Sequence, residues 1–160
     1  MIDFIRKLID EGRIELVEPS KNISEAHDIK SKDCLKAAKV LVDAKLFENS
    51  IAQSYYAMYN AIQSCLFRVG IKCENHSAAI FFLDFFFDRK ELKDAVFKAK
   101  KNRIDSQYYI TGRQNKPVTE ENANDMIKLA EKVMTQLALV RDELLEKNIK
   151  EIRDKLKSIS

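Results

Sequence analysis

The chain has 160 residues, the size of one ordinary domain, and a formal net charge of only +3 at pH 7. It contains three glycines and two prolines, whereas average composition would supply about 19 of these two types together. Sandwiches, barrels and other hairpin-rich folds need turn residues every few positions, and no Walker loop or dinucleotide-binding glycine motif is present. Composition therefore predicts an all-α protein.

The predicted elements form an up-and-down antiparallel bundle of four to five helices. A short helix over 2–9 comes first and is followed by a loop over 12–19. A capping-box pattern at 22–25 opens a helix that continues to about Ala44. The next helix begins near Glu48, and so short a connection makes these two helices an antiparallel hairpin.

The second hairpin helix, over about 48–69, has the clearest periodicity in the chain. Its apolar side chains recur at spacings of three and four residues along one stripe. Gly70 predicts the end of this helix. Two further helices are predicted over 76–87 and 90–110. The last helix begins after Thr119, whose hydroxyl group is a predicted cap and is followed by two acidic residues.

The last predicted helix is unusually long, because its apolar pattern continues to about residue 156. At 1.5 Å per residue it would measure roughly 55 Å, against about 33 Å for the hairpin helices. The sequence therefore predicts a single domain over 1–160, in which a bundle over 24–145 carries an overhanging basic helical tail over 146–160. Two interpretations of the tail remain open: a partner helix covers it, or the tail is frayed.

A phenylalanine cluster lies in the predicted third helix. At 100° per residue these rings cover too broad an arc for one neighbouring helix, and even two of them in water would form a patch typical of an interface. We expect one side to belong to the core and the other to contact a second copy of the chain. Burial between layers of one domain is the alternative. The interface candidates are Phe81, Phe82, Phe85, Phe86 and Phe87.

Residue types that catalyse reactions or bind metals are few. The three cysteines form no C-x-x-C pair, which predicts free thiols in a reducing, cytoplasmic compartment. The ligand types between Cys65 and His76 have no spacing typical of zinc sites. We predict no metal, no cofactor and no catalytic residue. No apolar run is long enough to span a membrane.

The most suggestive chemistry lies between residues 98 and 116, where six basic residues accompany a single acidic one. Tyr108 and Tyr109 lie in the same stretch. Cations with interleaved aromatic side chains are what phosphate contact and base stacking require. A lysine-rich, solvated helix face is the alternative interpretation.

Four segments resemble a known family in their order and spacing. They are SYYAMYNA at 54–61, NHS at 75–77, RIDSQYY at 103–109 and TEE at 119–121. With these segments, the chain resembles HEPN domains (higher eukaryotes and prokaryotes nucleotide-binding), especially the small stand-alone prokaryotic members. The resemblance implies a helical bundle that forms a homodimer. It also implies RNA, a nucleotide or a minimal nucleotidyltransferase as partner, often in a toxin–antitoxin-like pair.

Active members of that family carry an arginine followed, after four to six residues, by a histidine. The arginine holds phosphate while the imidazole moves protons during RNA cleavage at the 2′-hydroxyl. Arg103 matches the arginine, but the corresponding positions 108–110 are Tyr, Tyr and Ile. A phenol with an ordinary pKa near 10 is a poor general base at neutral pH. The resemblance therefore implies binding rather than catalysis.

The implied binding groove is centred on Arg103, which would hold phosphate, with Asp105 orienting it. Tyr108 would stack on a base, and Tyr56 would line the groove from the facing hairpin helix. The candidate nucleotide- or RNA-binding residues are Tyr56, His76, Lys100, Lys101, Arg103, Asp105, Gln107 and Tyr108. Two alternatives stay open: a ribonuclease toxin that uses Arg103 with a histidine from elsewhere, and a purely structural dimerisation scaffold.

Overall fold

The structure is a computed structural model that describes residues 1–107 and 117–159, which form seven helices and one two-stranded sheet. The helices are α1 (Ile2–Asp10), α2 (Lys21–Asp43), α3 (Phe47–Arg68), α4 (His76–Phe85), α5 (Lys90–Gln107), α6 (Glu120–Asp142) and α7 (Glu146–Lys157). The strands are β1 (Ile14–Leu16) and β2 (Ile71–Cys73). The predicted helical bundle is confirmed. None of the helices described is long and apolar enough to cross a membrane.

Buried serines hold α2 and α3 together as an antiparallel hairpin. Each hydroxyl group donates to a backbone carbonyl of the opposite helix, so that it is satisfied in a site that water does not reach. Small side chains bonded in this way let the two helices approach closely. The donor–acceptor pairs, at 2.6–2.8 Å, are Ser24 with Ser64, Ser64 with Ser24, Ser31 with Ala57 and Ser50 with Ala38.

The predicted apolar stripe of α3 is the centre of the core. Each fully buried apolar side chain of this size stabilises the fold by roughly 1.5–3 kcal/mol. The helix packs against α2, α5 and α6, so it is covered on several sides. Every residue of the stripe is buried, namely Ile51, Tyr55, Met58, Ile62, Cys65, Leu66 and Val69.

Side-chain caps mark the starts of α2 and α6. The hydroxyl oxygen of Ser20 accepts from the Ile23 amide at 3.2 Å, so α2 begins slightly before the pattern at 22–25 that was expected to open it. Thr119 caps α6 as predicted, because its Oγ1 accepts from the Asn122 amide at 3.2 Å. The Asn122 side chain in turn accepts from the Thr119 amide, at 3.1 Å.

A small antiparallel sheet includes three residues of the loop predicted over 12–19. Ile14 of β1 pairs with Cys73 of β2, and Leu16 pairs with Ile71. Strands of three residues offer too few positions for alternation to be recognised in the sequence. The sheet joins the region after α1 to the turn between α3 and α4, and it thereby fixes the position of the first residues of α4.

The prediction of one continuous final helix is wrong. The helix α6 ends at Asp142 and α7 begins at Glu146. The apolar pattern shifts by one position at Leu144, so that a straight helix would turn its second stripe away from the bundle. Folding back instead buries that stripe within the same chain. Its buried members are Ile149, Ile152, Leu156 and Ile159.

Basic side chains of α7 bind backbone carbonyls of the bundle. Arg153 Nη1 donates to the carbonyls of Val17 at 2.6 Å and Gly70 at 3.0 Å. Lys155 Nζ donates to the Phe85 carbonyl at 2.6 Å and lies 4.0 Å from the centroid of that ring. The segment expected to overhang is therefore packed on the bundle, and its apolar stripe needs no partner helix.

The phenylalanine cluster is largely enclosed by its own chain. Phe82 and Phe87 are buried, whereas Phe81, Phe85 and Phe86 are half-buried. The rings pack against one another, with centroids 4.6 Å apart for Phe82 and Phe86. The helix α4 ends at Phe85, two residues earlier than expected. A subunit contact through this cluster stays a prediction.

We expect Gly70→Ala to destabilise the protein more than Gly12→Ala. Both glycines have positive φ angles, +74° and +68°, which alanine adopts only with strain. A Cβ atom at Gly70 would also collide with the Arg153 guanidinium and the Val17 carbonyl, whereas nothing lies within 4 Å of one at Gly12. The free energy of unfolding in urea should fall by about 1 kcal/mol for Gly12→Ala and about 3 kcal/mol for Gly70→Ala. Equal losses would contradict the docking of α7 against this turn.

Candidate functional site

Arg103 reaches from α5 to the tyrosines of α3. Its Nη2 donates to Tyr56 Oη at 2.9 Å. The guanidinium carbon lies 5.1 Å from the centroid of the Tyr56 ring and 5.7 Å from that of Tyr55. A cation over an aromatic face contributes about 1 kcal/mol, and the hydrogen bond fixes its direction. The structure thus brings together Arg103 and Tyr56, as the resemblance implied.

The hydrogen-bonding capacity of Arg103 is only partly used. Its Nε is buried and has no hydrogen-bond partner among residues 1–107 and 117–159. Within the same residues, Arg103 forms no ion pair. A buried charged donor without an acceptor is unfavourable. The guanidinium can therefore bind an oxyanion without first breaking an internal ion pair.

His76, the first residue of α4, packs among the same tyrosines. Its Nδ1 lies 2.7 Å from Tyr55 Oη, and its ring is stacked on Tyr59 with centroids 3.7 Å apart. It also meets the Tyr56 ring edge-on, with centroids 6.5 Å apart. These five residues, Tyr55, Tyr56, Tyr59, His76 and Arg103, are referred to below as the Arg103 cluster.

Burial and two neighbouring cations favour the neutral form of His76. Burial lowers the pKa of its imidazole below the ordinary value of 6.5, and the positive charges of Lys100 and Arg103 lower it further. Burial also raises the pKa of Tyr55 above that of an ordinary phenol, so that Tyr55 keeps its proton. A neutral imidazole beside a neutral phenol leaves Arg103 and Lys100 as the charges that act on His76.

Lys100 adds a second cation close to the start of α4. Its Nζ donates to Ser77 Oγ at 2.6 Å. Burial lowers the pKa of Lys100, and the nearby charge of Arg103 lowers it further. The N-terminus of α4 also presents the positive end of a helix dipole. The surroundings of His76 are therefore positive.

Two of the other sequence candidates, Lys101 and Asp105, lie outside the cluster. Lys101 is exposed on α5. Asp105 lines a cavity of about 400 Å³ that faces α6 instead, and Tyr56 rather than Asp105 orients the Arg103 side chain. The side chain of Gln107 and the whole of Tyr108 lie outside the described part of the chain.

Tyr59 was not among the residues predicted for the site. Its Oη accepts from Gln63 Nε2 at 2.7 Å, and burial raises its pKa to about 12. Tyr55 lies on the apolar stripe of α3, yet its hydroxyl group meets His76. The one available signal was the four-residue spacing of Tyr55, Tyr59 and Gln63, which places all three on one face of α3.

All three cysteines of the chain lie in the region that the structure describes, residues 1–107 and 117–159. No three His, Cys, Asp or Glu side chains converge there to hold a metal ion. All three cysteines are free. Burial raises the pKa of Cys65 to about 12 and that of Cys73 to about 11. These two residues are therefore thiols at neutral pH rather than nucleophilic thiolates.

We expect Lys100→Met to raise the pKa of His76 towards 6.5. Removing a neighbouring positive charge favours the protonated imidazole, while burial continues to oppose it. An NMR titration of the His76 ring signals measures this pKa. Lys98→Met is the matched control, because Lys98 is exposed and lies on the other side of α5. The same pKa in wild type and in Lys100→Met would show that Lys100 is not part of the site.

Comparisons with known proteins identify a family. Residues 25–144 match the HEPN domain. Over 51 residues the chain is 33% identical to UPF0332 protein glr0978 of Gloeobacter violaceus (strain ATCC 29082 / PCC 7421), a match that covers 32% of this chain and 40% of that protein. No solved structure matches the chain. Since the family match extends from α2 to the turn after α6, well over half of the chain, this protein belongs to the HEPN domain family.

Proposed function

We propose that this protein is a non-catalytic HEPN module that binds the phosphate of a nucleotide or RNA through Arg103. The proposal is supported by the position and the incomplete hydrogen bonding of that guanidinium. It is held over Tyr55 and Tyr56, and its buried Nε has no partner among the described residues. A phosphate oxygen supplies the acceptor that the buried Nε lacks.

The charges around the Arg103 cluster support an anionic ligand. Apart from burial, the groups that lower the pKa of His76 are both cations, Lys100 and Arg103. An anion placed among these groups would be attracted by all of them and by the N-terminus of α4. Lys100 already donates to Ser77 at this helix start, so a second donor lies close by.

The proposal includes a homodimer, a minimal nucleotidyltransferase partner in a toxin–antitoxin-like system, and a cytoplasmic location. Membership of the HEPN family supports the two partnerships. Three half-buried rings, Phe81, Phe85 and Phe86, are the candidate subunit contact. A monomer at micromolar concentration in light scattering would remove the homodimer from the proposal. The free cysteines support a reducing compartment.

We expect Arg103→Gln to weaken the binding of a fluorescently labelled single-stranded RNA by about tenfold. The change removes a charge-assisted phosphate contact, so the slope of log K against log salt should become shallower by about 0.7. Fluorescence anisotropy at several salt concentrations measures both quantities. The matched control is Arg89→Gln, which removes the same charge from the exposed turn between α4 and α5. Equal losses in the two variants would refute a specific site at Arg103.

One observation favours a second candidate, a ribonuclease that uses His76. The neutral imidazole lies beside the Arg103 cluster tyrosines, with Nδ1 at 2.7 Å from Tyr55 Oη. A neutral imidazole can accept the proton of a ribose 2′-hydroxyl group, while Arg103 would hold the phosphate. This arrangement would supply from α4 the histidine that is absent after Arg103.

Incubation with RNA distinguishes the two candidates. For the binding module we expect no cleavage by the wild-type protein. Fragments that end in 2′,3′-cyclic phosphate, absent in both His76→Gln and Arg103→Gln, would establish the ribonuclease. Cleavage that persists in both variants would point to a contaminating enzyme, and the protein would then be purified from a different host before the comparison is repeated.

A further inference from the structure

A cleft of about 490 Å³ lies along α3, between α2 and β2, and is referred to below as the α2–α3 cleft. Its volume is within the range of small-ligand sites, about 300–1,000 Å³. Its wall combines aromatic rings with the side-chain amides of Asn60 and Gln63. Rings and amides together suit a flat ligand that carries polar atoms on its edge.

The aromatic part of the wall is held in place before any ligand enters. His27 is stacked on Phe67, with ring centroids 5.2 Å apart and planes 10° apart. His27 Nδ1 lies 3.0 Å from Asn60 Oδ1, and Asn60 Nδ2 donates to the Tyr56 carbonyl at 2.9 Å. Side chains fixed in this way lose little conformational freedom when a ligand binds.

Gln63 presents an unpaired acceptor to the cleft. It is only 4% exposed, and its Nε2 donates to Tyr59 Oη at 2.7 Å and to the Cys73 carbonyl at 2.9 Å. A carbonyl can only accept, so the Cys73 contact fixes the orientation of the amide. Among the described residues its Oε1 then has no donor, so it is available to accept a hydrogen bond from a ligand. An N–H group on the edge of a nucleobase would satisfy it.

Tyr56 connects the cleft to the Arg103 cluster. Its ring is part of the cleft wall, and its Oη accepts from Arg103 Nη2 at 2.9 Å. The two positions are therefore separated by one tyrosine side chain. A base in the cleft and a phosphate at Arg103 can belong to the same nucleotide.

We infer that the α2–α3 cleft binds one nucleobase, with its N–H edge at Gln63 Oε1 and its phosphate at Arg103. The phosphate position rests on the proposed function, whereas the ring wall and the unpaired amide oxygen do not depend on it. The shared ligand chemistry is a base with a phosphate, from either a free nucleotide or an RNA strand.

Calorimetry with AMP, GMP, CMP and UMP, compared with ribose 5-phosphate, tests the inference on the wild-type chain. At least one monophosphate should bind about tenfold more tightly than ribose 5-phosphate, because only the former carries a base to stack. A single-stranded RNA hexamer measured in parallel identifies the source: tighter binding of the hexamer indicates RNA, and weaker binding indicates a free nucleotide.

Two variants locate the base. Cys34→Phe places a ring in the cleft that Cys34 lines, so it should reduce the affinity for the monophosphate to that for ribose 5-phosphate and leave the latter unchanged. Ile29→Phe is the control, because Ile29 is 59% exposed on the same helix and is not part of the cleft wall. It should change neither affinity, whereas Arg103→Gln should weaken both.

The inference is overturned if no monophosphate binds more tightly than ribose 5-phosphate, a comparison that needs no variant to fold. It is also overturned if a folded Cys34→Phe variant still binds the monophosphate more tightly than ribose 5-phosphate. If instead the proposed function is wrong, the results differ: Arg103→Gln changes neither affinity, and ribose 5-phosphate does not bind. In that case the phosphate-free nucleosides should still shift the NMR signals of the Gln63 side-chain amide, and unshifted signals would overturn the base subsite as well.

Discussion

The close approach of α2 and α3, made possible by serine hydroxyl groups bonded to opposing carbonyls, is the constraint on which the rest of the structure depends. Ser24 and Ser64 donate to each other's carbonyl, so each backbone also receives a bond from the opposite helix. Arg141 of α6 adds a bond to Ser64 Oγ at 3.2 Å and an ion pair with Asp28 at 2.8 Å. A larger apolar residue at such positions would separate the helices and remove these bonds between them.

Fixing α3 against α2 and α6 determines where its tyrosines lie. The helix directs serines to α2 and its apolar stripe to the core, so the Tyr56 and Tyr59 face is left for α4 and α5. The small sheet then sets the start of α4, which brings His76 onto Tyr59. Arg103 arrives from α5. The sheet, α4 and α5 thus meet on one face of α3. The geometry of that face depends on the packing of the α2–α3 hairpin.

Because the site is assembled by tertiary contacts on one face of α3, only some of its features could be predicted from the sequence. Helices with long periodic stripes, such as α3 and α6, are specified locally, and the ordered HEPN-like segments located Arg103 and Tyr56 together. The break before α7 was visible only as a one-residue change of phase at Leu144, which a continuous helix can also carry. The stacking of His76 on Tyr59 depends on the turn through β2, a tertiary feature with no local signal. Gln63 was overlooked because its four-residue spacing from Tyr59 indicates a shared helix face but not that the amide is buried there.

Tyr56 contacts both parts of the proposed site, Arg103 and the α2–α3 cleft. Its hydroxyl group meets the Arg103 guanidinium on one side, while its ring forms part of the α2–α3 cleft on the other. A ligand that neutralises Arg103 would change the charge beside this ring, and a base stacked in the cleft would restrict the ring's movement. Phosphate and base would therefore act on the same side chain. In a non-catalytic module, this coupling would favour a ligand that carries both groups over one that carries either alone.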